Sequence, residues 1–251
     1  MDEPIFSLKD VSQVYINNSE KNEALKHVNL TIYHGECLGI VGQSGCGKST
    51  LGKIISLIDK PTQGEVYYQG NKIQFSDRSI YPIRKEIQYI FQDPISAFSP
   101  RKKIIKFLLE PYVNFKLCPK KEALIQIEHY LKQVGLDQSC LNKYPHQLSG
   151  GQLQRIVIAR TLSLSPKLIV CDEMTSALDV IVQDEILTLM KKLQIENQLT
   201  LVFISHDLSI VQRFCDRTMV LFDGEQIECL NSKDFTASKH PYIELLKDAI
   251  L

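Results

Sequence analysis

Three short stretches hold residue types suited to phosphoryl chemistry. The first is Gly42-Gln43-Ser44-Gly45-Cys46-Gly47-Lys48-Ser49-Thr50. It fulfils the pattern G-x4-G-K-[ST], whose glycines let successive backbone N–H groups turn inward around phosphate oxygens, helped by the N-terminus of the next helix. In that pattern Lys48 reaches the β- and γ-phosphates, and the Ser49 hydroxyl can ligate Mg²⁺. The plain alternative is a Gly-rich turn that matches by accident, which average residue usage allows in roughly one chain in a hundred of this length. The second stretch is Leu168-Ile169-Val170-Cys171-Asp172-Glu173, an apolar run ending in two carboxylates. Such a strand can deliver Asp172 to the Mg²⁺ of a phosphate-loop site. Glu173, one residue on, can hold and deprotonate an attacking water. Taken alone, a pair of acids at a strand end is more often a solvated turn. The third stretch, Leu148-Ser149-Gly150-Gly151-Gln152, read by itself is a turn and a helix start.

The elements that must position these residues follow from periodicity. Residues 5–16 and 23–41 read as short strands of a mixed or antiparallel sheet. Leu38–Val41 is an apolar strand that runs straight into the phosphate loop, and the residues after Lys48 have helix spacing. Residues 64–68 and 87–92 are strand-like, and Pro94 and Pro100 then break regular structure. The pattern turns helical from about 102 to 147, with a further helix predicted at 151–163. Beyond it come a buried strand at 167–172, a helix at 180–196, a strand at 200–204 and a helix at 207–214. Strands at 218–222 and 225–229 close the pattern. Strands alternating with helices predict a largely parallel α/β sheet, with a helical block at about 93–160 inserted into it. No internal repeat, low-complexity tract or flexible linker interrupts the chain.

Bulk properties narrow the setting. A chain of 251 residues fits one large domain or two small ones. Twenty-nine basic and 29 acidic residues cancel, leaving no net pull toward nucleic acid. The seven cysteines, at 37, 46, 118, 140, 171, 215 and 229, are odd in number and form no CxxC, against a zinc site or disulfide framework and in keeping with a reducing cytosol. Met1-Asp2-Glu3-Pro4 is acidic with no apolar run behind it, so no signal peptide is expected. Nor does any apolar run approach the roughly 20 residues that span a bilayer, so any membrane role is expected to come through a partner.

With LSGGQ just upstream of LIVCDE, the chain resembles the ATP-binding cassette (ABC) ATPases over nearly its whole length. The resemblance implies an α/β fold: a P-loop NTPase (RecA-like) core with an N-terminal antiparallel β subdomain and an inserted α-helical subdomain. Residues 1–251 would form one ABC ATPase domain, with 1–92 and 161–251 as nucleotide-binding core and β subdomain, and about 93–160 as the helical signature subdomain. It implies ATP and Mg²⁺ as cofactors and an ATP-hydrolysing activity. Gly42 to Thr50 would wrap the phosphates, and Tyr15 would stack on adenine. Gln92 would sense Mg²⁺ and the attacking water, in a loop that also touches membrane subunits. Ser149, Gly150, Gly151 and Gln152 would contact the γ-phosphate of ATP bound to the other subunit. Asp179, ending Ser176-Ala177-Leu178-Asp179, would lie in the loop that crosses the dimer interface, and His206 would contact the γ-phosphate. Ser49, Gln92 and Asp172 would serve Mg²⁺, with Glu173, His206, Lys48 and Gln92 as the catalytic set.

Within that family the resemblance is to the oligopeptide, dipeptide and nickel importer branch. It rests on QDPISAFSPR from Gln92, Tyr144-Pro145-His146, SALDVIVQ from Ser176, and His240-Pro241-Tyr242. The implied partners are two membrane permease subunits, a second homologous ATPase (a heterodimer, with a homodimer as the alternative) and, indirectly, an external solute-binding protein. The implied location is the cytoplasmic face of the cell membrane, peripherally. Peptides head the expected cargoes. Nickel or a metal chelate is the runner-up, because the chain stops nine residues after Tyr242 whereas many peptide importers continue. Two departures stand out: Met174, where Pro is common, should alter only a local turn, and Phe98, where Leu is usual, should change contacts near the pore. A non-transport ABC ATPase acting on nucleic acid or the ribosome is the alternative, but tandem cassettes, coiled coils and basic arms are lacking. A module that binds without turnover is disfavoured by the presence of Glu173 and His206. Cys46 reads as a tolerated filler of the phosphate loop or, more sharply, as a helix N-terminal thiol with a lowered pKa and sensitivity to oxidation.

Overall fold

The structure is a computed structural model that describes residues 3–17, 20–75 and 77–248. Two long strands open the chain, β1 (Pro4–Asn17) and β2 (Glu20–Tyr33), paired antiparallel. A Gly35 turn with φ +76° then leads to β3 (Cys37–Val41), the phosphate loop and α1 (Lys48–Ile55). The hairpin β4 (Gln63–Tyr68) and β5 (Asn71–Lys72) returns to the first sheet, whose order is β2-β1-β4-β5. Next come α2 (Asp77–Glu86), β6 (Ile87–Ile90), α3 (Ile104–Asn114), α4 (Lys120–Gln133) and α5 (Gly150–Leu162). The chain then alternates through β7 (Leu168–Asp172), α6 (Val180–Asn197), β8 (Thr200–Ile204) and α7 (Leu208–Phe214). It closes with β9 (Arg217–Phe222), β10 (Glu225–Asn231) and α8 (Pro241–Asp248).

The second sheet has the order β10-β9-β3-β8-β7-β6 and is parallel except for the β9–β10 hairpin. Its central strands are buried along their whole length, which is why CLGIV, LIVCD and TLVFI read as continuous apolar runs rather than alternating ones. Alternate residues still serve different faces. Leu38, Ile40, Leu168, Val170, Val202 and Ile204 pack with α1 and the antiparallel sheet. Cys37, Val41, Ile169, Cys171, Leu201 and Phe203 pack on the opposite face, in one cluster with the side chains of α3, α4, α5 and α6.

Three stretches differ from the sequence expectation. The helical pattern predicted to about 147 stops at Gln133, and two 3-10 turns follow, Gln138–Asn142 and Pro145–Gln147. Gly135 takes φ +73°, the Asp137 carboxylate accepts the Ser139 N–H, and Pro145 opens the second turn, so each local preference favours a turn. The helices α2 and α8 lie where the sequence pattern predicts no element. α2 carries Pro82 inside it, and α8 is only eight residues long.

Candidate functional site

Four parallel strands end on one side of the sheet, and each leads into a residue singled out above. β3 leads to Gly42, β6 to Gln92, β7 to Asp172 and Glu173, and β8 to His206. Beyond the carboxyl ends of parallel strands is where open α/β sheets form their ligand crevice.

The phosphate loop is held by close backbone approach. A Cβ on Gly42 would lie 2.1 Å from the Leu221 carbonyl oxygen, and one on Gly47 (φ +104°) would lie 2.3 Å from that of Ala24. Only glycine fits at either position. At Gly45 (φ +82°) a Cβ would meet nothing within 4 Å, so there the need is conformational. Lys48 is 6% exposed, and its Nζ donates to the carbonyls of Gly42 (2.7 Å) and Gln43 (2.8 Å). The third donor of the ammonium faces the Cys46 sulfur at 4.0 Å, a weak acceptor that a phosphate oxygen can replace.

A cavity of about 410 Å³ opens over the loop, lined by Ser44, Gly45, Gly47, Lys48, Ser49 and Thr50. Tyr15, Gln92 and Glu173 share its wall, as do Asn22, Glu23, Ala24, Asp223 and Gly224. The Tyr15 hydroxyl donates to Asp59 Oδ2 at 3.0 Å, and burial raises its pKa. Gly42, Gln43 and Cys46 are not among the lining residues. Burial pushes the Cys46 thiol up, outweighing the pull of Lys48, so the reading of Cys46 as a low-pKa thiol is corrected: it is a packed side chain, 6% exposed.

Two hard oxygens meet beside the loop, where the Ser49 hydroxyl donates to Asp172 Oδ1 at 3.2 Å. The other Asp172 oxygen accepts the Tyr89 hydroxyl at 2.5 Å. Burial, and then the carboxylate itself, push the Tyr89 phenol well above its ordinary range, so it donates at any physiological pH. Paired oxygens of this kind suit a hard divalent cation.

Glu173 takes φ +45°, a left-handed conformation that is costly for a side chain of its kind. Its N–H donates to the Ile204 carbonyl at 3.0 Å, and its own carbonyl accepts the Ser176 hydroxyl at 2.9 Å. Its carboxylate lies between two side chains: Gln92 Nε2 donates to Oε2 at 3.0 Å, and His206 Nδ1 lies 3.3 Å from Oε1. Gln92 Nε2 also reaches the Ser176 hydroxyl at 3.3 Å. Side chains from two strand ends, those of β6 and β8, therefore aim one half-buried carboxylate at the end of β7.

The remaining predicted residues lie outside this cavity. Ser149 caps α5, its hydroxyl accepting the Gln152 N–H while Gln152 Oε1 accepts the Ser149 N–H. Gly150 and Gly151 sit against α6 and the loop before it: added Cβ atoms would come within 3.3 Å of Leu178 and 2.6 Å of Val182. Asp179 caps α6 by accepting the Val182 N–H at 3.0 Å. Phe98, expected near a pore contact, is buried against Phe107 with ring centroids 4.2 Å apart, so its extra bulk is taken up by the core. Met174 is buried beneath Glu173 in sequence and likewise faces the interior.

The family model described as ABC transporter matches residues 25–176, more than half of the chain. The chain belongs to the ABC transporter family. This ABC ATPase is 43% identical over 229 residues to a dipeptide transport ATP-binding protein of Haemophilus influenzae, covering 90% of this chain and 70% of that one. It is 39% identical over 258 residues to an oligopeptide transport ATP-binding protein of Bacillus subtilis, covering 99% and 78%. Among solved structures, it matches cbiO1 of Clostridium perfringens, part of the ABC transporter complex cbiONQ, with TM-score 0.83 and 32% identity over 95% of this chain and 92% of that one. A dimeric ATP-binding cassette in a post-hydrolysis state with ADP and Pi matches with TM-score 0.81 and 36% identity over 90% and 98%. The ABC ATPase is thus an ATP-binding, ATP-hydrolysing transporter subunit with the P-loop fold expected from its motifs. Among the described residues no helix is long and apolar enough to cross a membrane.

Sequence reasoning missed the Tyr89 bond to Asp172 and the Asp223-Gly224 corner of the cavity. Asp-Gly between two apolar runs signals a hairpin turn, and φ +47° and +79° bear that out. Nothing local shows that this turn faces the phosphate loop.

Proposed function

We propose that this ABC ATPase energises import of peptides through two membrane permease subunits, pairing with a second homologous ATPase and served by an external solute-binding protein. It would act peripherally at the cytoplasmic face of the membrane. Peptides are put ahead of nickel or metal chelates because the relatives just described are named for dipeptide and oligopeptide transport. Action on nucleic acid or the ribosome is set aside on the same ground.

The loop from Ser44 to Thr50 grips the phosphates, with the third donor of Lys48 turning from the Cys46 sulfur to the β- and γ-oxygens. Tyr15 stacks on the adenine, its hydroxyl anchored to Asp59. Ser49 and Asp172 would hold Mg²⁺, with Gln92 near it, and the ion would supply positive charge against the charge that develops on the phosphates. Glu173 takes a proton from the attacking water while His206 and Gln92 fix its carboxylate. Ser149, Gly150, Gly151 and Gln152, carried by the helical unit of about 93–160, complete the partner's site, and Asp179 lies at the interface. Gln92 reports the state of the site to the membrane subunits. Beside it a groove of about 510 Å³ runs between the loop after β6 and the helices α3 and α5, lined by Phe91, Pro94, Ala97, Phe107 and Arg160. That groove suits docking of a permease segment.

The observation that carries this reading is the placement of the Glu173 carboxylate, held by Gln92 and His206 next to the Ser49–Asp172 pair. The test is MgATP hydrolysis by wild type and Glu173→Gln, alone and with the candidate partner ATPase, while dimerisation is followed. Glu173→Gln should lose about 10²–10⁴ in rate, as for removal of a general base, and trap an ATP-bound dimer. Unchanged turnover would sink Glu173 as the base, and absence of an ATP-dependent dimer in every pairing would sink the two-subunit site.

A further inference from the structure

His240-Pro241-Tyr242 has no part in the chemistry above, yet its tyrosine touches the phosphate loop. Pro241 is the first residue of α8, where its missing N–H costs nothing. His240 caps the helix, its Nδ1 accepting the Tyr242 N–H at 3.2 Å. The next side chain, Tyr242, is buried, its ring against Phe222 at the end of β9 with centroids 4.3 Å apart. From there its hydroxyl accepts the backbone N–H of Gln43 at 3.0 Å. Sequence separation between the two is 199 residues.

Gln43 lies just past the end of β3, where the strand ladder no longer supplies a partner. Its carbonyl accepts Lys48 Nζ at 2.8 Å and the Cys46 N–H at 3.3 Å. Tyr242 thus holds one end of the residue whose other end holds the phosphate-binding lysine. The loop is braced a second time through the β9–β10 turn, where the Gly224 N–H donates to the Cys46 carbonyl at 3.1 Å. Phe222, against which Tyr242 packs, is two residues before that Gly224, so both braces share one support.

We propose that Tyr242 is a positioning residue for nucleotide binding, which fixes the first turn of the phosphate loop, and Lys48 with it, through the Gln43 N–H. The motif His240-Pro241-Tyr242 is the device that delivers its hydroxyl there: cap, helix start and anchor in three consecutive residues. The inference rests on the phosphate loop as the nucleotide site and adds the C-terminal helix to what sets its affinity.

The test uses the full chain with Tyr242→Phe, which removes only the hydroxyl, and Phe222→Leu, which loosens the ring contact and keeps the hydroxyl. One hydrogen bond lost at the loop should raise the KM and Kd for MgATP about two- to tenfold, with kcat at saturation within twofold of wild type. Phe222→Leu should move them less. In wild type the Gln43 amide should be slow to exchange with deuterium, and in Tyr242→Phe fast, while amides of β7 and β8 keep their protection. Wild-type affinity in Tyr242→Phe, a fall in kcat at unchanged Kd, or a fast-exchanging Gln43 amide in the wild type would each overturn the proposal. The last measurement needs no variant, so it decides even if Tyr242→Phe folds poorly. Failure of wild type itself to bind MgATP would instead remove the nucleotide reading on which this one stands.

Discussion

The phosphate loop and the LSGGQ segment are both glycine-rich helix starts, but they are built in opposite ways. Around the loop, Gly42 and Gly47 lie against the backbone carbonyls of Leu221 and Ala24, Lys48 is buried on two more carbonyls, and Tyr242 and Gly224 brace it from behind. Its form is fixed within one chain. At the other segment Ser149 and Gln152 are exposed, their side chains accept from each other's backbone N–H, and the glycines rest on the side chains of Leu178 and Val182. One region is built and braced entirely by its own chain. The other is a helix end whose polar groups lie on the surface, as a half-site awaiting a second subunit would need.

The largest effect expected from this contrast is at Lys48. A ligand at a hundredfold its Kd stabilises by about 2.7 kcal/mol, which for a chain of this size raises Tm by about 5–10 °C. Isolated wild type should show that rise with MgATP, and Lys48→Ala should lose it. An equal rise in both would mean that the cavity over the loop is not where the phosphates sit.

Next comes a pair of identical substitutions. A Cβ at Gly42 would overlap a carbonyl oxygen at 2.1 Å in a fully packed place, whereas one at Gly151 would press on Val182 Cγ1, a half-buried side chain at the first turn of α6. Gly42→Ala should cost about 1–3 kcal/mol, as overpacking does, and abolish MgATP binding. Gly151→Ala should cost under about 1 kcal/mol, because alanine is the better helix former and offsets part of the strain. It should leave binding by the isolated chain intact. Equal losses of Tm would break the contrast.

A smaller effect is expected at Tyr89, which supports the loop's partner strand. Tyr89→Phe removes a hydrogen bond to the buried Asp172 carboxylate and leaves its bond from Ser49. Bonds to charged groups contribute about 1.5–3 kcal/mol, and part of that should appear as a several-fold rise in the Mg²⁺ concentration needed for half-maximal turnover. Nucleotide binding without Mg²⁺ should not change. An unaltered Mg²⁺ requirement would show that Tyr89 only packs.

How legible each region was follows the same division. Gly42, Lys48, Ser49, Asp172 and Glu173 could be read from the sequence because local spacing places them: a strand, a tight loop, a helix, then a second apolar strand ending in acids. Tyr89 and Tyr242 could not, since their partners lie 83 and 199 residues away and a tyrosine in an apolar setting has no local mark of what its hydroxyl meets. α2 is not legible because Pro82 argues against a helix that packing nonetheless sustains. The turns after Gln133 are not legible because the apolar spacing of α4 runs on past Gly135, where φ is +73°. Cys46 was open to two readings from its place at a helix start, and burial decided between them.

The smallest effect separates the two regions most cleanly. Ser149→Ala removes the hydroxyl that accepts the Gln152 N–H and so breaks half of the capping box at α5. Loss of an N-cap costs about 1 kcal/mol, or about 2–4 °C in Tm here. Because Ser149 does not line the cavity over the phosphate loop, MgATP binding by the isolated chain should match wild type. If the segment completes a partner's site, hydrolysis by the assembled pair should fall by far more than that stability loss accounts for. Restoring the cap with Ser149→Asp would then return Tm without returning turnover, since the carboxylate caps α5 but repels a phosphate. Recovery of both together would make Ser149 a helix cap and nothing more, and would end the half-site reading of this segment.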